Sequence, residues 1–412
     1  MSGAPQRRGA VALRYRDFRL LWAGSFFSQI GSQMFVVGIG WQIYDITRSP
    51  LALGLLGLSR AVPLVIFALG AGVIADVMDR RRLMLVCQVM MLALSAALGL
   101  WTVRGLDVVW PVYLVVAMAS AARTFETPAR QALVPALVPR QHLANALSLN
   151  VLNGQAATVI GPSLAGVVIA NLGVAAVYWL DALSYLAVIG SLVLMRVRPE
   201  PHAGTRVSLR AALDGIRFLR SEPIILSTML LDFIATFFGS ALTLLPLFAR
   251  DILRVGPEGL GLLYAAPSAG AVIAGIWMSL VAGSRRQGLL LLAAVMAYGL
   301  CTTVFGLSTS FWLSLLMLAG VGAADTISTV IRNTIRQLRT PDELRGRMVS
   351  VNMLFFMGGP QLGEFEAGVV ARLAGGPFSV WSGGVLCMLA VGLLAWRVPA
   401  LRTYDEHAAV PA

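Results

Sequence analysis

Asp232 stands in a charge-poor run with Thr228 four residues before it and Thr236 four after, so the three side chains share one face if the run is helical. A carboxylic acid taken out of water parts with its proton less readily, and access from alternate sides can then load and discharge it. Asp325 is placed in the same way, with Ser328, Thr329 and Arg332 continuing its stripe. These two acids are the candidates for proton coupling; the competing reading of each is a structural hydrogen bond to a neighbouring helix. Gln29 and Gln33 are spaced i, i+4, and Arg123, Glu126, Thr127 and Arg130 fall on one helical face. Both sets could line a cavity and touch a substrate, although helix–helix hydrogen bonding for the glutamines and a solvated helix end for the charged set remain open. Asp181, with Ser184 and Tyr185, reads as a packing group.

Other chemistries find little support. His142, His202 and His407 are scattered, no nucleophile–base constellation or nucleotide loop is present, and Cys87, Cys301 and Cys387 lie in apolar runs without metal-ligand spacing. No cofactor and no metal are expected, and a membrane enzyme or non-transporting sensor is the weakest reading.

The elements that must hold these groups follow from composition. Of the 412 residues 58% are hydrophobic and only 13% charged, and the mean hydropathy is +0.78; such a chain needs lipid as its solvent. Crossing the hydrocarbon takes roughly 20 apolar residues per helix. Runs of that kind fall at 20–44, 51–75, 83–103, 108–127, 146–170, 174–195, 222–248, 258–282, 288–307, 311–334, 346–371 and 377–396. The first is too long for a signal-peptide core and counts as a permanent helix. Inside a span an ionisable side chain costs on the order of 2.5–3.5 kcal/mol, which is why the few present are candidates for function. By helical rise Asp232 lies roughly 15 Å into its span, near the midplane.

A net charge of +12 is compatible with nucleic-acid binding, but the arginines are spread over short loops instead of forming one basic face. Most of the 32 basic residues, all arginine, fall on the side of the N-terminus; the other side has Arg48, Arg104, Arg250, Arg254 and Arg372. The positive-inside rule then predicts a multi-pass protein of the bacterial inner membrane with both termini cytoplasmic and no nucleic-acid partner.

The spans divide into a first bundle within 1–195, a polar linker at 196–221 carrying a short amphipathic helix from Ser208 to Arg220, and a second bundle with a short tail in 222–412. A shift of 202 residues superposes Arg123 on Asp325, Thr124 on Thr326, Arg130 on Arg332, Gly161 on Gly363 and Trp179 on Trp381. Two parallel six-helix repeats are an architecture of secondary transporters, which bind substrate between their halves.

Gly72-Val-Ile-Ala-Asp76-Val-Met-Asp79-Arg80-Arg81-Arg82, between the second and third spans, resembles the loop signature of the major facilitator superfamily. It departs from the signature at Val77, where a basic residue is usual, and at Asp79, near the usual Gly. Gly154 to Gly166, with Gly161-Pro162 inside, looks like the Gly-Pro signature of the superfamily's antiporters. Tyr15-Arg-Asp-Phe-Arg-Leu-Leu-Trp22, Pro128 to Pro135 and Gly359-Pro-Gln-Leu-Gly-Glu-Phe-Glu-Ala-Gly368 resemble the bacterial exporter branch, to which enterobactin exporters and related siderophore and drug exporters belong.

The resemblance implies an all-α membrane protein of twelve transmembrane helices in two pseudo-symmetric six-helix bundles. It implies that spans one, four, seven and ten line the central path, and that spans two and eleven meet. Arg60 and Glu364 both lie roughly 12–14 Å below the outer side and could pair there as a gate, with Glu366, off that face, as the weaker partner; Arg60 could instead snorkel or pair within its own half. On the inner side Asp76, with Arg80 beside it in the motif, would face the start of span eleven and Arg345 or Arg347. Gly72, Gly161-Pro162 and Gly359-Pro360 are hinge or packing positions where backbones come close. The implied function is export of a small, partly apolar molecule, a siderophore or drug-like compound, by proton antiport, from a monomer whose partners are substrate, protons and the lipid bilayer. An importer or a lysophospholipid flippase on the same fold is the alternative.

Overall fold

The computed structural model describes residues 10–105, 108–196, 222–280, 286–340 and 345–404; within helices, side chains at 68–69, 72–73, 75–77 and 345–357 are not described. The expected linker helix at 208–220 lies outside these residues. Twelve long helical segments appear, and no strand occurs among the described residues. They are α1 (Arg16–Thr47), α2 (Pro50–Val77), α3 (Arg80–Val103), α4 (Trp110–Leu137), α5 (Leu143–Leu172), α6 (Val174–Leu194), α7 (Pro223–Phe238), α8 (Gly256–Leu280), α9 (Gln287–Leu307), α10 (Phe311–Arg339), α11 (Arg345–Ala374) and α12 (Gly376–Arg397). Among the described residues nine spans are long and apolar enough to cross a membrane. Two helices whose side chains are described throughout, α1 and α4, fall short; their middles hold Gln29 and Gln33, and Arg123 and Glu126. The polar groups that weaken their apolar signal are the candidate functional ones.

Local chemistry explains where the helices begin and break. Asp79 caps α3, accepting from the Arg81 and Arg82 amides at 2.9 and 3.2 Å, so the acid that departs from the loop signature serves as a helix N-cap. The seventh span, expected as one helix over 222–248, stops at Phe238. Tyr298 of α9 donates to the Gly239 carbonyl at 3.1 Å, taking an acceptor that a continuing helix would have used. The chain goes on through a 3-10 turn at Ala241–Leu244 and a π turn at Phe248–Ile252. Pro246 stands in the short α turn Leu245–Leu247 that joins them, at a position where its missing N–H costs little.

By its contacts the chain forms two compact units: Met1–Ile39 with Val62–Val207, and Gly40–Ala61 with Ser208–Ala412. In the first, Phe18, Leu21, Met84, Leu133 and Leu192 form the core. Trp22 Nε1 donates to the Leu149 carbonyl and Asn153 Nδ2 to the Trp22 carbonyl, both at 3.0 Å, joining α1 to α5. In the second, Leu231, Leu291, Ile331, Ile335 and Cys387 form the core. Large apolar side chains such as Leu172, Leu280 and Trp312 stay exposed, at 71–79% of their surface, which suits a hydrocarbon solvent and not water.

The α1–α2 turn and the adjoining ends of these helices pack within the second unit. A Cβ on Gly54 would stand 2.8 Å from the Gly368 Cα, so α2 and α11 touch backbone to backbone there. Gly54→Val is expected to cost about 1–3 kcal/mol by overpacking, seen as a lower melting temperature of the detergent-solubilised protein. An unchanged melting temperature would show that this contact does not persist.

Candidate functional site

In the second unit, α7 and α10 bring together the two acids singled out from the sequence, with Arg332 between them. Arg332 Nη2 lies 2.9 Å from Asp232 Oδ1 and 3.7 Å from Asp325 Oδ1. It also donates to Thr329 Oγ1 at 2.8 Å. The Arg332 and Asp232 side chains are only 2% and 4% exposed, whereas that of Asp325 is 47% exposed. One acid is therefore sealed in the bundle and the other reachable, with a single guanidinium shared between them. The formal charge of the three groups is −1 with both acids ionised and zero once one proton is taken up. Tyr298 stands close by. Thr228 and Thr236 do not serve the carboxylate: their hydroxyls donate to the Ile225 and Asp232 carbonyls at 2.7 and 2.8 Å, the usual fate of a threonine inside a helix.

In the first unit, α1, α3, α4 and α6 enclose a polar cavity of about 180 Å³. Gln29, Gln33, Arg123 and Glu126, the four expected cavity residues, all line it, together with Arg130 and Tyr185. Gln88 Nε2 donates to Glu126 Oε1 at 3.0 Å. Arg123 lies beside Tyr185, Asp181 and Glu126. Asp181 is fully buried behind the cavity wall and accepts from Ser95 Oγ at 2.5 Å, joining α6 to α3. Gly161 and Pro162 are buried on α5. A Cβ on Gly161 would come 2.9 Å from the Ile30 carbonyl, so this glycine permits α5 to lie against α1.

The expected pairing of Arg60 and Glu364 is present: Arg60 Nη1 donates to both carboxylate oxygens at 3.2 Å, with 26% and 20% of the two side chains exposed. Tyr264 lies beside the pair. Glu366 forms no ion pair among the described residues. Gly359 faces Thr236 and Phe233 of α7, and the Pro360 carbonyl accepts from Ser240 Oγ at 3.3 Å. Arg80 donates to the Ala132 carbonyl at 3.3 Å, tying α3 to α4. Gly72, Asp76, Arg345 and Arg347 have no described side chains, so the inner contact expected of them lies outside the described residues.

One cluster escaped the sequence reading. Asp45 pairs with Arg250 and lies 4.0 Å from Arg48, Arg48 lies 3.6 Å from Asp251, and Tyr44 donates to Asp251. Arg250 also lies over the Trp41 ring. Two adjacent opposite charges, Arg250 and Asp251, just past an apolar span were the available signal.

An all-helical chain with polar groups gathered inside two bundles and apolar side chains exposed has the form of a transporter of the major facilitator type, integral to the inner membrane. The chain belongs to the transmembrane secretion effector family of that superfamily, whose family model matches residues 9–412. It is 28% identical over 331 residues to the Enterobactin exporter EntS of Citrobacter koseri, covering 80% of this chain and 79% of that one. It is 27% identical over the same length, with the same coverage, to the Enterobactin exporter EntS of Escherichia coli O1:K1 / APEC. Among solved structures, a bacterial homologue of the human lysosomal transporter Spinster superposes with a TM-score of 0.70 at 16% identity over 97% of both chains. A POT family transporter in complex with 5-aminolevulinic acid gives 0.74 at 11% identity, over 94% of this chain and 96% of that one. Identities this low carry the fold alone.

Proposed function

We propose that the protein exports a small, partly apolar molecule, of siderophore or drug-like character, by alternating access coupled to inward movement of protons. The observation that carries this reading is the Asp232–Arg332–Asp325 cluster: a buried cation between one sealed acid and one accessible acid. When Asp325 is ionised it competes for Arg332; when it is protonated, Arg332 is left to Asp232 alone. The cluster therefore has two arrangements that one proton selects, which is what a coupling element needs. One charge moving inward through the membrane potential supplies about 2.3 kcal/mol per 100 mV. The Arg60–Glu364 pair serves as the gate on the side opposite the termini, which lie in the cytoplasm, and the Asp45, Arg48, Arg250 and Asp251 cluster strengthens it. Resemblance to enterobactin exporters over four-fifths of the chain supports the export direction and a siderophore-like cargo.

Transport into inverted vesicles, across a panel that includes a catecholate siderophore, a hydrophobic cation and a lysophospholipid, tests this reading with and without an imposed proton gradient. Gradient-dependent uptake there is the expected result, and Asp325→Asn is expected to lower it at least tenfold while leaving gradient-independent exchange. Asp232→Asn should behave alike. Unaltered transport in both variants would remove the coupling assignment; uptake only into right-side-out vesicles would make the protein an importer, and movement of the lysophospholipid alone a flippase.

A further inference from the structure

The two arginines that the internal repeat superposes have opposite surroundings. Arg332 is sealed and shared by Asp232 and Asp325. Its counterpart Arg130, half-buried on α4, lines the polar cavity of the first unit and forms no ion pair or hydrogen bond among the described residues. The same shift of 202 residues explains the difference. The position of Asp325 is taken by Arg123 and that of Asp232 by Ile30, so Arg130 has lost both of the acids that neutralise Arg332. The remaining acids near the cavity are engaged elsewhere. Glu126 accepts from Gln88 and lies beside Arg123, and Asp181 accepts from Ser95 behind the wall. A half-buried cation without an internal counter-ion is a ready partner for an anionic group on a ligand.

We propose that Arg130 of α4, with Gln29 and Gln33 of α1 lining the same cavity, receives an anionic oxygen group, a carboxylate or a phosphate, borne by a partly apolar ligand. Guanidinium matches such groups with paired N–H donors, and the side-chain amides supply further donors to its oxygens. The cavity, about 180 Å³, is smaller than the roughly 300–1,000 Å³ that encloses a whole drug-sized molecule. It therefore holds the charged head of the ligand, whose apolar remainder extends beyond it. This deepens the export reading by naming the chemistry of the cargo, and rests on it for the claim that the occupant is transported.

Binding is measured without any gradient, on purified full-length protein in detergent, as the shift in melting temperature with four probes. Benzoate tests a substrate-like carboxylate, inorganic phosphate a free anion, phosphatidylglycerol a lipid headgroup, and benzamide is the neutral control. Benzoate is expected to raise the melting temperature by roughly 2–4 °C over benzamide at saturating concentration. Arg130→Gln should abolish the increment and Arg130→Lys keep part of it. Since Arg130→Gln could itself weaken folding, the increment over each variant's own unliganded value is the readout. Stabilisation by phosphate alone or by phosphatidylglycerol alone supports the anion site and identifies its source. Equal shifts with benzoate and benzamide and none with the other two, or an undiminished increment in Arg130→Gln, overturns the proposal. Because the assay needs no vesicles, it can fail while gradient-driven export stands, and the reverse.

Discussion

Arg332→Gln is expected to leave little folded protein in the membrane. The substitution strands Asp232, whose side chain is 4% exposed and whose counter-ion is that guanidinium. Breaking a buried pair from one side costs about 3–5 kcal/mol, because the surviving charge is left without compensation. Against a total stability of about 5–15 kcal/mol, that is enough to deplete the native state. Fluorescence-detected size exclusion of a tagged protein gives the measurement: the monodisperse peak should fall several-fold. Adding Asp232→Asn should recover much of it, since the double variant buries a neutral amide pair in place of a lone carboxylate. A single variant as abundant and as heat-stable as the parent would show that α7 and α10 do not depend on this pair.

Reversing the charge at either end of the Arg60–Glu364 pair is expected to lower transport at least tenfold, and reversing both to recover part of the loss. Each single reversal sets two like charges where donor and acceptor now lie 3.2 Å apart. Charge-assisted hydrogen bonds of this kind contribute about 1.5–3 kcal/mol, and tenfold corresponds to about 1.4 kcal/mol. With 26% and 20% of the two side chains still exposed, the lower part of that range applies. Initial rates of vesicle uptake for Arg60→Glu, Glu364→Arg and the double swap form the cycle. If the double variant is no better than the worse single one, the two residues act independently and the gate reading fails.

The Arg60–Glu364 pair was legible because the family resemblance implied that spans two and eleven meet, and because depth along a helix is a local property that puts the two residues level. Arg332 was not legible in the same way. In sequence it continues the polar stripe of Asp325 toward a helix end, where an arginine ordinarily reaches water. Its burial depends on α7, about a hundred residues away, presenting Asp232 to it. The break in the seventh span was hidden for a related reason. Gly239 reads as one more apolar-run residue, and only Tyr298, arriving from α9, takes its carbonyl out of the helix ladder.

What the amino-acid sequence determined by itself is whatever lipid imposes on a chain locally. It set the apolar runs that cross the membrane and the faces on which glutamines and charges fall, because these follow from helical period and apolar length over some 20 residues, while the motifs from Gly72 to Arg82 and around Gly161-Pro162 carried the resemblance to the major facilitator fold. Only the tertiary structure decided which charges neutralise the two repeat-related arginines. Arg332 found two acids, whereas Arg130, its repeat counterpart, found none among the described residues. Coulomb energy in a low-dielectric interior depends on separations across helices of a few ångströms, and no spacing along one helix encodes them.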